Sequence, residues 1–209
     1  MLKVNMEKLF RDLNNNCNYI VLRGWDSFDH FNYNDDIDIL CDDRCKVIDI
    51  LKARPLHRNS KRCNYIVKGD SHDIKIDIRY VGDNYYCQSW QRDMLASKQF
   101  YNYFYVMDRK NYYFSLIYHI LIHKRKFSNK YEKVLSRIYE GSDCFKMTYE
   151  FLLCDLKEWM KKNKYMFTVP EDYAVNTNWD LLKAEGGSFV RLKEIESKML
   201  KKWDKILYK

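Results

Sequence analysis

Residues 36-DIDILC-41 place Ile37, Ile39 and Cys41 in strict alternation with Asp36, Asp38 and Leu40. Successive side chains of a strand point to opposite faces, so Asp36 and Asp38 share one face, their Cα atoms roughly 6.5–7 Å apart. The stretch 74-IKIDIRYV-81 repeats the pattern, with Ile74, Ile76, Ile78 and Tyr80 on one face and Lys75, Asp77 and Arg79 on the other. If the two strands are neighbours, about 4.8 Å apart, Asp77 joins Asp36 and Asp38. Aspartate is depleted in strands, and clustered carboxylates repel one another unless a cation neutralises them. Hard ions such as Mg²⁺ bind through one or two carboxylates plus substrate phosphates. Two such ions about 3.5–4 Å apart form the clamp used for in-line phosphoryl displacement. The competing reading is the polar face of an exposed strand.

Around these two strands the period-two pattern continues. Residues 18-NYIVLR-23 form a strand candidate, and 63-CNYIVKG-69 pairs with 72-HDIKIDIRYV-81 as a hairpin across the turn Gly69-Asp70. Between them, 43-DRCKVIDILKA-53 reads as a helix with Asp43 as its cap and Cys45, Ile48 and Leu51 on one face. From residue 88 the period changes to helical, with segments expected at 88–98, 109–124, 129–140, 147–163 and 189–207. A strand-like stretch lies at 100-FYNYFYVM-107 and a loop at 168-TVPEDYAVNTNWD-180. The expected class is α+β: a small mixed β-sheet with helices over residues 1–108, then a helical C-terminal region over 109–209.

The chain has 209 residues, 46% of them hydrophobic, enough for a packed core rather than disorder. The apolar run 114-FSLIYHILI-122 is far short of the ~18–20 residues of a membrane span. Residues 1-MLKVNMEKLFRDL-13 contain no continuous apolar core of the signal-peptide kind. The expectation is a soluble, cytoplasmic protein whose seven cysteines are mostly small buried apolar residues rather than a disulfide framework. Charge is uneven. Residues 1–98 are nearly balanced, whereas residues 99–209 carry most of the net +8. That field suits phosphates, nucleic acid or an anionic membrane surface, or is simply a lysine-rich solvated face.

The order of these features resembles the nucleotidyltransferase superfamily, the polymerase-beta-like fold. Its pattern of hydrophobic-Gly-Gly/Ser, about ten residues, Asp/Glu-hydrophobic-Asp/Glu and a later hydrophobic-Asp/Glu-hydrophobic is matched by Gly24-Trp25, residues 26–35, Asp36-Ile37-Asp38-Ile39 and Ile76-Asp77-Ile78. The match covers roughly residues 18–82. The wider run, from 19-YIVLRGW-25 to 112-YYFSLIYHILIHK-124, is similar to nucleotidyltransferase-like proteins of bacteria and large DNA viruses, some encoded beside genes for surface glycans. The resemblance implies a transferase that moves a nucleoside monophosphate from a nucleoside triphosphate to a hydroxyl or phosphate acceptor, a sugar or glycan precursor. Asp36, Asp38 and Asp77 would be catalytic and would bind Mg²⁺ or Mn²⁺, two ions. One departure matters. Trp25 stands where the family has a small residue that lets backbone N–H groups approach the phosphates, and an indole cannot do this. Ser27 is the nearby hydroxyl, and Trp25 either stacks on a base or sugar or belongs to the core.

Arg23 and Arg79 leave their strands on or near the face of Asp38 and Asp77 and are candidates for neutralising charge there. With Gly24, Trp25 and Ser27 they make up the expected substrate-binding set, completed by Lys124 of the cluster Lys124-Arg125-Lys126, which could hold a triphosphate or anionic acceptor. The clusters Lys161-Lys162-Lys164 and Lys201-Lys202-Lys205 read as solvated helix faces. His119 and His123 have zinc-ligand spacing on a helix but no third ligand, so core or pocket histidines are the simpler reading. A metal or nucleophilic role for Cys41 and Cys45 is weaker still. Two alternatives stand beside the enzyme: a transferase moving phosphocholine or a polyol phosphate onto glycans, and a catalytically idle module that binds nucleic acid or protein through its basic half.

Overall fold

The computed structural model describes residues 2–25, 36–59, 61–69, 72–124, 128–139, 147–186 and 188–207. Ser27, the pair Arg125–Lys126 and the Asp70 corner of the expected hairpin lie outside them. The α+β class is as expected, and the sheet is larger than the sequence suggested, with seven strands among the described residues. The chain divides into two compact units, Met1–Asp83 with Gln88–Asp108, and Asn84–Cys87 with Arg109–Lys209.

The first unit is built on the strands β1 (Tyr19–Arg23), β2 (Asp36–Cys41), β3 (Arg54–Pro55), β4 (Asn64–Val67), β5 (Ile74–Tyr80), β6 (Gln99–Tyr101) and β7 (Phe104–Val106), in the order β3-β4-β5-β2-β1-β7-β6. β2 pairs antiparallel with β1 and parallel with β5, and β4 pairs antiparallel with β5 as the expected hairpin. One face carries Tyr19, Val21, Ile37, Ile39, Ile76 and Ile78, all buried in the main core cluster. Helix α1 (Leu2–Asn16) adds Met6, Leu9, Phe10 and Leu13 to that cluster. Helix α2 (Arg44–Leu51) adds Val47 and Leu51. Asp43 caps α2 as anticipated, its carboxylate accepting from the Lys46 N–H at 3.0 Å. The buried face of α2 differs, since Cys45 is exposed and Val47 is buried in its place. On the opposite sheet face, helix α3 (Gln88–Ala96) reaches β1 and β2 with Trp90, Met94 and Leu95 buried. The stretch 100–107 is not one strand. It folds back as the pair β6–β7, with Asn102 at φ 54° in the turn, a left-handed conformation that asparagine tolerates.

The second unit contains α4 (Arg109–Tyr118), whose chain continues as a π-helical segment His119–Lys124, then α5 (Asn129–Ile138), α6 (Tyr149–Lys162), α7 (Trp179–Gly186) and α8 (Ser188–Leu207). Residues 112–123 are buried on every side, with Ser115, His119 and His123 enclosed among apolar and aromatic side chains. Phe114 stacks on Trp159 of α6 with ring centroids 4.2 Å apart. Asn178 closes the π-helical segment, its N–H donating to the Ile122 carbonyl and its amide to that of Leu121. No described helix is long and apolar enough to cross a membrane.

Candidate functional site

The site is a row of polar side chains across four strands. Asn64 of β4 is in register with Asp77 of β5, Asp77 with Asp38 of β2, and Asp38 with Arg23 of β1. The row exists because Ile37, Ile39, Ile76 and Ile78 turn into the core and so commit the alternate positions to the other face. Arg23 is the exception that needs explaining. Strict alternation from Tyr19 and Val21 would send it into the core. The register shifts between Val21 and Arg23, and this bulge turns the guanidinium onto the face of Asp38. Gly24 follows at φ +74°, a conformation that favours glycine.

Each carboxylate has a guanidinium beside it. Arg23 Nη2 donates to Asp38 Oδ1 at 2.8 Å, and Arg79 Nη2 lies 3.5 Å from Asp77 Oδ2. The Asn64 amide donates to Asp77 Oδ1. Burial, and then the charge of Asp38, push the Asp77 carboxyl above the ordinary carboxylate range, while Arg79, Arg23 and Asn64 oppose the shift. The physical content is a partly buried pair of acids in which one is pressed toward its neutral form.

Asp36 is on the same face but one pleat further along, exposed and in register with Lys75. Among the described residues no group of three or more His, Cys, Asp or Glu side chains is placed to hold a metal ion. The three-carboxylate cluster expected from the sequence is therefore reduced to the adjacent pair Asp38 and Asp77. That pair offers the hard oxygen donors that suit one Mg²⁺ or Mn²⁺ completed by phosphate oxygens. Trp25 is half-buried against the main core cluster, its ring 4.8 Å from that of Tyr101. Lys124 is exposed at the end of the π-helical segment and belongs to the second unit.

His119, His123 and Cys41 are each buried among side chains of the fold. Tyr85 and Tyr131 hydroxyls sit 3.0 and 3.2 Å from the two ring nitrogens of His119, and His123 packs on the Tyr85 ring at 3.9 Å. Burial raises the Cys41 thiol far above the range of a reactive thiolate. Asn64 is the site residue that the sequence reading passed over. It enters the site through the β4–β5 register. Comparison with protein-family models, curated proteins and solved structures gives no match.

Proposed function

We propose that the chain is a divalent-metal-dependent nucleotidyltransferase, joining a nucleoside monophosphate to a hydroxyl or phosphate acceptor with release of pyrophosphate. The observation that carries this reading is the Asp38–Asp77 pair on adjacent parallel strands, following the β1 turn in the order Gly24, Asp38, Asp77. Asp38 and Asp77 would hold Mg²⁺ or Mn²⁺, which when bound neutralises phosphate charge. Arg23 and Arg79 supply guanidinium donors suited to phosphate oxygens on the same face. The acceptor oxygen bonds to the α-phosphorus, the bond to the β-phosphate oxygen breaks, and its electron pair leaves with pyrophosphate. The proton of a hydroxyl acceptor leaves to solvent, since Asp77, like Asp38, would be ionised when it holds the metal. A sugar or glycan precursor is the acceptor that the family resemblance suggests.

A second reading draws support from the same arginines. A guanidinium on each carboxylate balances the charge of the sheet without any metal, as a catalytically idle binding module would require. Pyrophosphate release and thermal shift with each nucleoside triphosphate, in Mg²⁺ or Mn²⁺, separate the two. The enzyme reading expects one nucleotide to raise the melting temperature by a few degrees. It also expects turnover that is lost in both Asp38→Asn and Asp77→Asn. If neither metal supports a shift or turnover with any nucleotide, the binding-module reading replaces it.

A further inference from the structure

Helix α8 spans twenty residues and presents six large apolar side chains outward. Phe189, Leu192, Ile195, Met199, Trp203 and Ile206 are each 57 to 68% exposed. Their spacing of three or four residues keeps them within about a third of the helix circumference, a stripe about 26 Å long. The other face of α8 is already engaged within its unit. Val190 and Ser197 are buried, and the Ser197 hydroxyl donates to the Tyr173 carbonyl at 3.1 Å. Glu194 is bridged to Lys183 of α7 at 3.3 Å. The stripe is thus held outward by a docked helix, and scattered surface hydrophobics do not account for it.

The charges along α8 are sorted. The four charged residues that are exposed, Arg191, Lys198, Lys202 and Lys205, are all basic. At 100° per residue they run along one border of the apolar stripe. The acids are less exposed than these and locally engaged: Glu194 with Lys183 and Lys198, Glu196 inside the stripe's other edge with Lys193 just beyond it, and Asp204 with the Tyr173 hydroxyl. An apolar stripe edged by lysine and arginine is complementary to an anionic lipid surface, where acyl chains take the stripe and headgroup phosphates take the basic border. A protein groove that encloses a helix would require α8 to leave α7. A second copy docked antiparallel would set the basic border against itself. Nucleic acid would leave six apolar side chains in water. A flat anionic surface meets α8 as it stands.

We propose that α8 is a membrane-surface helix that holds this protein on anionic bilayers, lying in the interface rather than spanning it.

The test is co-sedimentation of the full chain with phosphatidylcholine vesicles, with and without phosphatidylserine, alongside light scattering for oligomeric state. The phosphatidylserine vesicles should bind the chain, and raised salt should weaken the binding. Replacing Lys202 and Lys205 by Gln should weaken it about fivefold for each charge removed. Leu192→Ser with Trp203→Ser should weaken it at least tenfold while leaving the melting temperature unchanged, because both side chains are exposed. The proposal is overturned if phosphatidylserine vesicles do not bind, or if they bind equally well after the apolar substitutions. It is also overturned by a dimer that the apolar substitutions dissolve without any vesicle binding. Binding to duplex DNA that needs the lysines but not the apolar stripe, with no vesicle binding, would assign the helix to nucleic acid instead.

Discussion

Arg23 reaches Asp38 only because β1 slips its register between Val21 and Arg23, so two consecutive residues, Leu22 and Arg23, leave the core face. The bulge converts a position that alternation would have buried among Tyr19, Val21 and Ile39 into the counter-ion of a carboxylate at 2.8 Å. Its consequence is electrostatic. Asp38 and Asp77 can stand side by side because each has its own guanidinium.

Arg23→Ala should therefore destabilise the protein by about 1–3 kcal/mol in urea unfolding, the cost of leaving a partly buried charge without its partner. Adding Asp38→Asn to that variant should recover part of the loss, because the stranded carboxylate is then gone. A double-mutant cycle with no coupling between the two positions would show that the 2.8 Å contact contributes nothing to stability.

Asp77 carries a pH signature. Its folded-state value is raised, so the folded protein holds this proton more tightly than the unfolded chain does. The contribution is fully present below the unfolded value and is lost as pH rises through the raised folded value. The wild-type-minus-Asp77→Asn difference in unfolding free energy should fall across that interval and level off above it. A difference that stays flat from acid to neutral pH contradicts the shift.

Asp38→Asn separates repulsion from pairing. It relieves Asp77 of a neighbouring charge but removes the partner of Arg23, so the metal-free melting temperature should change little, by an equivalent of about 1 kcal/mol or less. The same variant should gain much less from Mg²⁺ plus nucleotide than wild type gains. Unfolding of Asp38→Asn without metal would make this carboxylate structural.

Gly24→Ala isolates backbone strain. Among the described residues a methyl group at Gly24 would meet no atom within 4 Å beyond its chain neighbours, so the cost expected there is that of φ +74°. A loss of about 1–2 kcal/mol is expected, the penalty for an L-residue in the left-handed region.

Trp25→Ala should cost less than the ~3–5 kcal/mol of a fully buried large aromatic, because the indole is half-buried between the core and Tyr101. Calorimetry of the variant measures this directly. Unchanged stability would instead leave the indole to a ligand.

The local patterns were legible residue by residue. Alternating Ile and Asp in 36–41 and 74–80 determined both strands and the face of every carboxylate, because a strand's side-chain period allows no other arrangement. The Asp43 cap and the buried run 114–122 were equally direct. Helix α1 is legible too, since Met6, Leu9, Phe10 and Leu13 follow helical spacing. What the tertiary structure alone decided was the company each side chain keeps. Asp77 stands opposite Asp38 rather than Asp36 because strand register depends on pairing between distant segments, which no local period encodes. Arg23 joins them through a bulge, whose extra residue breaks the very alternation used to read the strand. Asn64 enters the site because the β4–β5 register sets it beside Asp77, and the stripe of α8 faces outward because Val190 and Ser197 face inward. A sequence carries the periodicities of its own elements, but which faces end up covered, and which charges become neighbours, depends on packing between segments far apart in the chain.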